Sequence, residues 1–389
     1  MIRTIGNERV INMPPSATVS MSMKCAELKE KGLDVITLSG GEPDFDTPAL
    51  IVEKTCQALQ QGRTHYATGT GTKELKEAIL KKMKEENGIS AKPEQIFVTP
   101  GGKFALYMAM QVLLNPGDEV MLITPNWVSY APMIQAAGGK IVPVEVKEEN
   151  GYQMTKELLM SHVSEKTKLL LYCSPCNPTG HVVDEKEAGL IADFLEETGI
   201  YALADEIYER IAYGKIPYSV GSIERVKNQV VTLMGFSKGY AMTGFRVAWL
   251  SVPPQLAKLF KTLYTQTVTC APPFIMDGAE HAFSCKEEIA MMTASYKERG
   301  EKFIAAMNEI EGVTASMPEG AFYAWIRFDI KDMSASQMAD YLLEEALVAG
   351  VAGIAFNDSE DKHIRFAFAQ AEEDLMQAAE RIKKALDKL

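Results

Sequence analysis

The stretch from residue 96 to residue 251 alternates between short, mostly apolar runs and amphipathic runs, and few folds accept that pattern. Ile96–Thr99, Glu119–Thr124, Lys140–Val146, Lys168–Cys173, Tyr201–Ala204, Val230–Met234 and Phe245–Ser251 read as strands. Most are apolar along their whole length rather than at every second residue, as a strand needs when both faces of its sheet are covered. Gly102–Leu114, Val128–Ala137 and Lys186–Thr198 read as helices between them. The first has apolar residues at 105, 106, 108, 109, 112 and 113, and Asn115-Pro116-Gly117-Asp118 ends it. Strand and helix in alternation predict an α/β fold built on a mainly parallel sheet with helices on both faces.

The C-terminal third changes character. Lys286–Ile310, Ser334–Ala349 and Glu372–Leu389 read as helices, with strands at Val313–Ser316, Phe322–Phe328 and His363–Phe368. That fits a second, α+β domain, and 389 residues suffice for two domains. A net charge of −12 argues against a nucleic-acid partner, because phosphate binding needs a basic face. No run of 18 apolar residues exists, so no membrane span is expected, and Met1–Glu8 lacks the apolar core of a signal peptide. A cytoplasmic protein is the expectation. The six cysteines are scattered, and Cys173/Cys176 has CxxC spacing without the second pair that a zinc site needs. No metal site is expected.

The chemistry gathers where apolar runs end. Ser237-Lys238-Gly239-Tyr240-Ala241-Met242-Thr243-Gly244-Phe245-Arg246 follows Val230–Met234. An amine in an apolar setting loses proton affinity and can attack a carbonyl to form a Schiff base. Ser237 and Arg246 can flank it as phosphate ligands, and a lysine beside a phosphate site is the local chemistry of pyridoxal 5′-phosphate (PLP). On this segment alone, a surface lysine in a loop is an equal reading. Three further segments also place polar groups just past strand ends, where open α/β sheets bind ligands. They are Pro100-Gly101-Gly102-Lys103, Ser174-Pro175-Cys176-Asn177-Pro178-Thr179-Gly180 and Asp205-Glu206-Ile207-Tyr208.

In that order, the glycine pair, Asn-Pro-Thr-Gly, Asp-x-x-Tyr, Ser-Lys and Arg resemble the class I/II aminotransferases of PLP fold type I, and within them the bacterial aspartate aminotransferase branch. The resemblance runs from Pro15-Ser16-Ala17-Thr18 to Arg365. It implies a large PLP-binding domain over 46–284 with a seven-stranded, mainly parallel sheet. Residues 1–45 and 285–389 would form a smaller α+β domain that closes over the substrate. It also implies a homodimer with shared active sites.

The resemblance assigns roles residue by residue. Lys238 would carry PLP as a Schiff base and move the substrate's Cα proton. Asp205 would hold the pyridine nitrogen protonated, so that the ring accepts electrons. Tyr208 and Asn177 would bond the ring's 3′-oxygen, and Trp127 would stack on its face. Gly102 and Lys103, opening a helix, would bind the phosphate with Ser237 and Arg246. Tyr66 matches a tyrosine given from the other subunit, or is a packing residue. Arg365, alone in an apolar strand, would grip the α-carboxylate with Gly41 and Asn177; the alternatives are an internal salt bridge and a turn glycine. Trp127 also borders the substrate, and Lys103 would reach the distal carboxylate of aspartate or another dicarboxylic amino acid.

Two departures from the pattern stand out. Gly235 replaces the first serine of Ser-x-Ser-Lys, and Val351-Ala352-Gly353-Ile354-Ala355-Phe356 lacks a common Val-Pro-Gly. Pro14, where some relatives carry a basic residue, argues against prephenate. The expected reaction moves an amino group from an L-amino acid to a 2-oxo acid such as 2-oxoglutarate. The alternatives are a transaminase for neutral or aromatic amino acids and a PLP-dependent carbon–sulfur lyase of the same fold. A non-catalytic PLP-binding regulator of this fold is a further alternative; it usually carries a DNA-binding segment, and no such basic extension is seen.

Overall fold

A computed structural model describes residues 6–389 of the chain. Its largest sheet has seven strands. From one edge to the other they are Ile96–Thr99, Ala248–Ser251, Val230–Gly235, Tyr201–Asp205, Thr167–Cys173, Glu119–Thr124 and Lys140–Glu145. Only Ala248–Ser251 runs against the others. The continuous apolar runs have the expected cause. Leu169, Leu171, Leu203, Val231 and Leu233 enter one core, while Leu170, Tyr172, Ala202, Ala204 and Val230 enter another. Alternate residues thus face opposite sides of the sheet, and both sides are dry. Gly102–Leu113 packs into the first core and Glu185–Thr198 into the second.

A four-stranded antiparallel sheet takes Val351–Ala352, His363–Ala367, Tyr323–Phe328 and Val313–Ala315 in that order. The helix Lys286–Asn308 packs on it, Glu372–Leu386 packs on that helix, and Phe303 meets Phe366 edge-on. N-terminal residues join this part of the molecule, because Ile36–Thr37 pairs in parallel with Val348–Ala349.

Two sequence expectations are corrected. Ser334–Ala349 is not one helix. Ala335–Tyr341 is α-helical, a wider turn follows over Leu342–Ala346, and Leu347 turns left-handed at φ 54°. Good helix formers at 342–346 gave the helical reading, but pairing with Ile36–Thr37 pulls Val348–Ala349 into a strand. The strand expected from Phe245 starts at Ala248 instead, because Arg246 is left-handed at φ 56° and cannot join a ladder. Smaller shifts of one to three residues occur elsewhere, as where the helix expected from Val128 begins at Tyr130 and the terminal helix ends at Leu386 rather than Leu389.

Candidate active site

The parallel strands deliver their C-terminal ends to one edge of the large sheet. Gly101 and Gly102 follow Thr99, Asn177 follows Cys173, Asp205 ends its own strand, and Ser237 and Lys238 follow Gly235. The one reversed strand starts on that edge and so brings Arg246 to it. Arg365 arrives from the smaller sheet. A cavity of about 650 Å³ opens between them. Of the residues singled out in the sequence, all but Tyr66 line it. Tyr66 is 85% exposed and lies outside the cavity wall.

Lys238 and Asp205 supply the reactive polarity. The Lys238 Nζ donates to the Gly41 carbonyl. Burial pulls its ammonium down to about 8, with Arg365 and Arg246 acting in the same direction against Glu42. Asp205 is buried, and its Oδ2 accepts from the Tyr130 hydroxyl at 2.7 Å. Its Oδ1 accepts from the Ile207 N–H at 3.2 Å. Burial raises this carboxyl to about 6 despite those bonds. The Tyr208 and Tyr323 hydroxyls lie 2.7 Å apart, and burial pushes the Tyr208 phenol well above its usual range.

Arg365 is a buried cation, 1% exposed, with no ion pair among the described residues. Its Nη1 donates to Asn177 Oδ1 at 2.9 Å and its Nη2 to the Ser39 carbonyl at 2.7 Å. Its Nε has no partner. The guanidinium carbon lies 4.3 Å from the centre of the Tyr323 ring and 4.7 Å from that of Phe356. The internal salt bridge that sequence left open is therefore absent among the described residues. A desolvated charge with an unpartnered donor, on a side chain that lines the cavity, suits an anion, because leaving it unpaired is costly.

The end of the cavity beside Arg246 is shaped by glycine. Gly101 has φ 88°, and a Cβ there would lie 2.4 Å from Arg246 Nη2. The backbone angle demands glycine, and a side chain there would push the Arg246 guanidinium aside. Gly102 then opens a helix with its free N–H groups toward the cavity edge, beside Ser237. Arg246 Nη1 is steadied by the Thr243 carbonyl at 2.9 Å. Lys103 stands at the mouth, its Nζ 5.0 Å from the Trp127 ring centre. Partial burial, then the Arg246 charge, pulls its ammonium below the ordinary value.

A profile of the family described as "Aminotransferase class I and II" matches residues 33–382. The chain belongs to that family. An Aquifex aeolicus relative named probable aspartate/prephenate aminotransferase is 38% identical over 98% of both chains. The Bacillus subtilis aspartate aminotransferase is 36% identical over 98% of both. The solved Thermus thermophilus aspartate aminotransferase with maleate superposes with a TM-score of 0.93 at 35% identity, covering 98% of this chain and 100% of that one.

This aminotransferase uses PLP and has fold type I. The cavity residues fit that cofactor. A buried carboxylate without a cationic partner suits a protonated ring nitrogen, and the glycine cradle beneath Arg246 suits a phosphate. No helix among the described residues is long and apolar enough to cross a membrane, and no cluster of metal-ligating residues occurs there. Sequence reasoning missed several contributors. Tyr130 holds Asp205, Tyr323 touches both Tyr208 and Arg365, and Gly101 rather than Gly102 needs the special backbone. The helix at Ala17–Glu30 was unforeseen and puts Val19, Ser22 and Met23 on the cavity wall beside Thr18, whose segment Pro15-Ser16-Ala17-Thr18 the resemblance had placed on that wall. The signal for Tyr323 was a hydroxyl-bearing residue at the start of an apolar strand.

Proposed function

We propose that this aminotransferase takes its amino group from aspartate or another dicarboxylic L-amino acid and gives it to a 2-oxo acid such as 2-oxoglutarate. The observation that carries the reading is a second cation on the cavity: besides Arg365, a buried guanidinium free of any carboxylate among the described residues and suited to the α-carboxylate, the Lys103 amine stands at the mouth where a distal carboxylate can meet it. Aspartate stands in the printed names of the Aquifex and Bacillus relatives. The apolar wall of Val19, Met23 and Leu106 favours a second reading, transfer from aromatic amino acids. A Thermococcus litoralis relative, 35% identical over 90% of this chain, is named for that substrate class.

The roles follow from the placements. PLP supplies an electron sink for the carbanion that appears when substrate loses its Cα proton. Lys238 Nζ carries the cofactor between turnovers and, once displaced by substrate, takes and returns that proton; an amine near 8 suits both tasks at neutral pH. Asp205 keeps a proton on the ring nitrogen, and Tyr130 holds the carboxylate in place. Tyr208 and Asn177 orient the ring oxygen, while Trp127 covers one ring face. Gly102, the backbone of Lys103, Ser237 and Arg246 bind the phosphate, while the Lys103 amine is left for the distal carboxylate of the substrate. Arg365 takes the α-carboxylate beside Asn177 and Gly41. Tyr66, so exposed, is proposed to reach the phosphate of a second subunit in a homodimer. The domains would divide as 46–284 against 1–45 with 285–389, and the enzyme would work in the cytoplasm.

Gly101→Ala is expected to weaken PLP capture by the apoprotein by at least about tenfold, because the added methyl displaces Arg246 and strains a left-handed backbone. Titrating apoprotein with PLP measures it, and unchanged affinity would remove the cradle from the account. Lys103 tests the substrate. Lys103→Ala should cost aspartate and glutamate about 1–3 kcal/mol in kcat/KM while leaving alanine and phenylalanine nearly unaffected. A panel of donors against 2-oxoglutarate, with prephenate as a second acceptor, decides the class. Equal losses for all donors, or a wild-type preference for neutral ones, would overturn the dicarboxylate reading.

A further inference from the structure

The loop that departs from the family's Val-Pro-Gly pattern supports Arg365. After Val351–Ala352 the chain makes a tight turn over Gly353–Phe356, and Asn357 is left-handed at φ 60°. Phe356 is fully buried and lies under the Arg365 guanidinium. Its ring meets Trp325 edge-on at 5.6 Å, and Trp325 stacks on His363 at 5.0 Å with planes 4° apart. Arg365 and His363 are two residues apart in one strand, so both side chains stand on the same face. The Phe356 carbonyl also accepts from the Asn126 N–H at 2.8 Å, next to Trp127 of the cavity wall. One loop thereby braces two walls of the site.

His363 fastens that loop. Its Nδ1 lies 3.0 Å from Asp358 Oδ2, and its Nε2 lies 3.3 Å from Glu148 Oε2. Its backbone N–H also donates to Asp358 Oδ2 at 3.3 Å. Asp358 fits only because residue 353 is glycine, since a Cβ there would lie 2.6 Å from Asp358 Oδ2. Glu148 follows the edge strand Lys140–Glu145 of the large sheet, so the imidazole joins that sheet to the loop. A neutral imidazole has one N–H and can donate to only one of the two carboxylates; the imidazolium donates to both.

We infer that His363, clamped between Asp358 and Glu148, is a positioning residue for Arg365, acting through Trp325 and Phe356. This rests on the reading that Arg365 takes the substrate's α-carboxylate. Losing either clamp lets Phe356 shift, so carboxylate binding weakens while proton transfer at Lys238 is untouched. The pH direction follows from the surroundings. The two carboxylates raise His363 to about 9, against the pull of burial. Arg327, on the neighbouring strand, and Glu360 also face the cluster, and Tyr152 packs beside it. The clamp is therefore complete at neutral pH and opens as pH rises through about 9.

The test uses holoenzyme and maleate, a dicarboxylate probe, with binding read from the cofactor's absorbance between pH 7.5 and 10. Glu148→Gln and His363→Gln should raise the maleate Kd and the donor KM at pH 7.5 by about five- to tenfold, the scale of one charge-assisted hydrogen bond, with kcat kept within about twofold. Wild-type Kd should climb toward the variants' values above pH 9, and the variants should lack that step. Variants with wild-type Kd and pH profile overturn the inference. So does a kcat that falls together with the melting temperature, the mark of a merely structural role. Arg365→Ala separates the two readings. If it binds maleate as wild type does, the carboxylate assignment itself fails; if it loses maleate while His363→Gln does not, only the positioning role fails.

Discussion

Lys238→Ala folds, captures PLP non-covalently and transaminates at least about 10⁴-fold more slowly than wild type. The size follows from removing both the covalent anchor and the base that moves the Cα proton. The fold survives because Lys238 stands on the cavity wall, with its Nζ bound only to the Gly41 carbonyl. Single-turnover kinetics with aspartate measures the effect, and a matching melting temperature excludes unfolding as its cause. A variant retaining more than about a hundredth of the wild-type rate would remove Lys238 from the proton path. The same lysine sets a pH dependence. Burial lowers its ammonium to about 8, so the attacking free amine is depleted below that pH. Covalent PLP capture by wild-type apoprotein should therefore accelerate as pH rises through about 8, then level off.

Asp205→Ala should slow the amino-acid half-reaction by about 10³-fold or more while PLP still binds. A buried ion pair with one partner removed costs about 3–5 kcal/mol, and here the loss falls mainly where electrons flow into the ring. Asp205→Asn is the sharper variant. It keeps an acceptor for the Tyr130 hydroxyl, which the native carboxylate binds at 2.7 Å, but lacks the charge. If the charge does the work, Asn should be nearly as slow as Ala. If Asn is close to wild type, the carboxylate is only a brace for Tyr130. Asp205→Ala should also be the less stable of the two, by about 1–3 kcal/mol, because it strands a buried hydroxyl.

The large sheet was legible because its strands are buried on both faces. Ile96–Thr99 and Glu119–Thr124 have the bounds that their apolar runs mark. Ala17–Glu30 was not legible, since only Cys25 in it is buried and no apolar stripe forms. The Leu342–Ala349 stretch misled because local helix preference lost to pairing with residues three hundred positions away. The site divides along the same line. Lys238, Asp205, Asn177 and Arg246 lie in short segments whose order is informative by itself. Tyr130, Tyr323 and Phe356 act only through partners far away in sequence: Asp205, Arg365 and Trp325. Nothing local to Gly353 or His363 announces that a carboxylate fits between them.

The amine of Lys238 is the proposed anchor of the cofactor. Borohydride reduction of the holoenzyme fixes the cofactor to whichever lysine holds it, and mass mapping of the digested protein locates it. One pyridoxyl group per chain is expected, on the peptide containing Ser237-Lys238-Gly239, with no label in Lys238→Ala. A pyridoxyl group on Lys103 or any other lysine of the wild-type enzyme would contradict it.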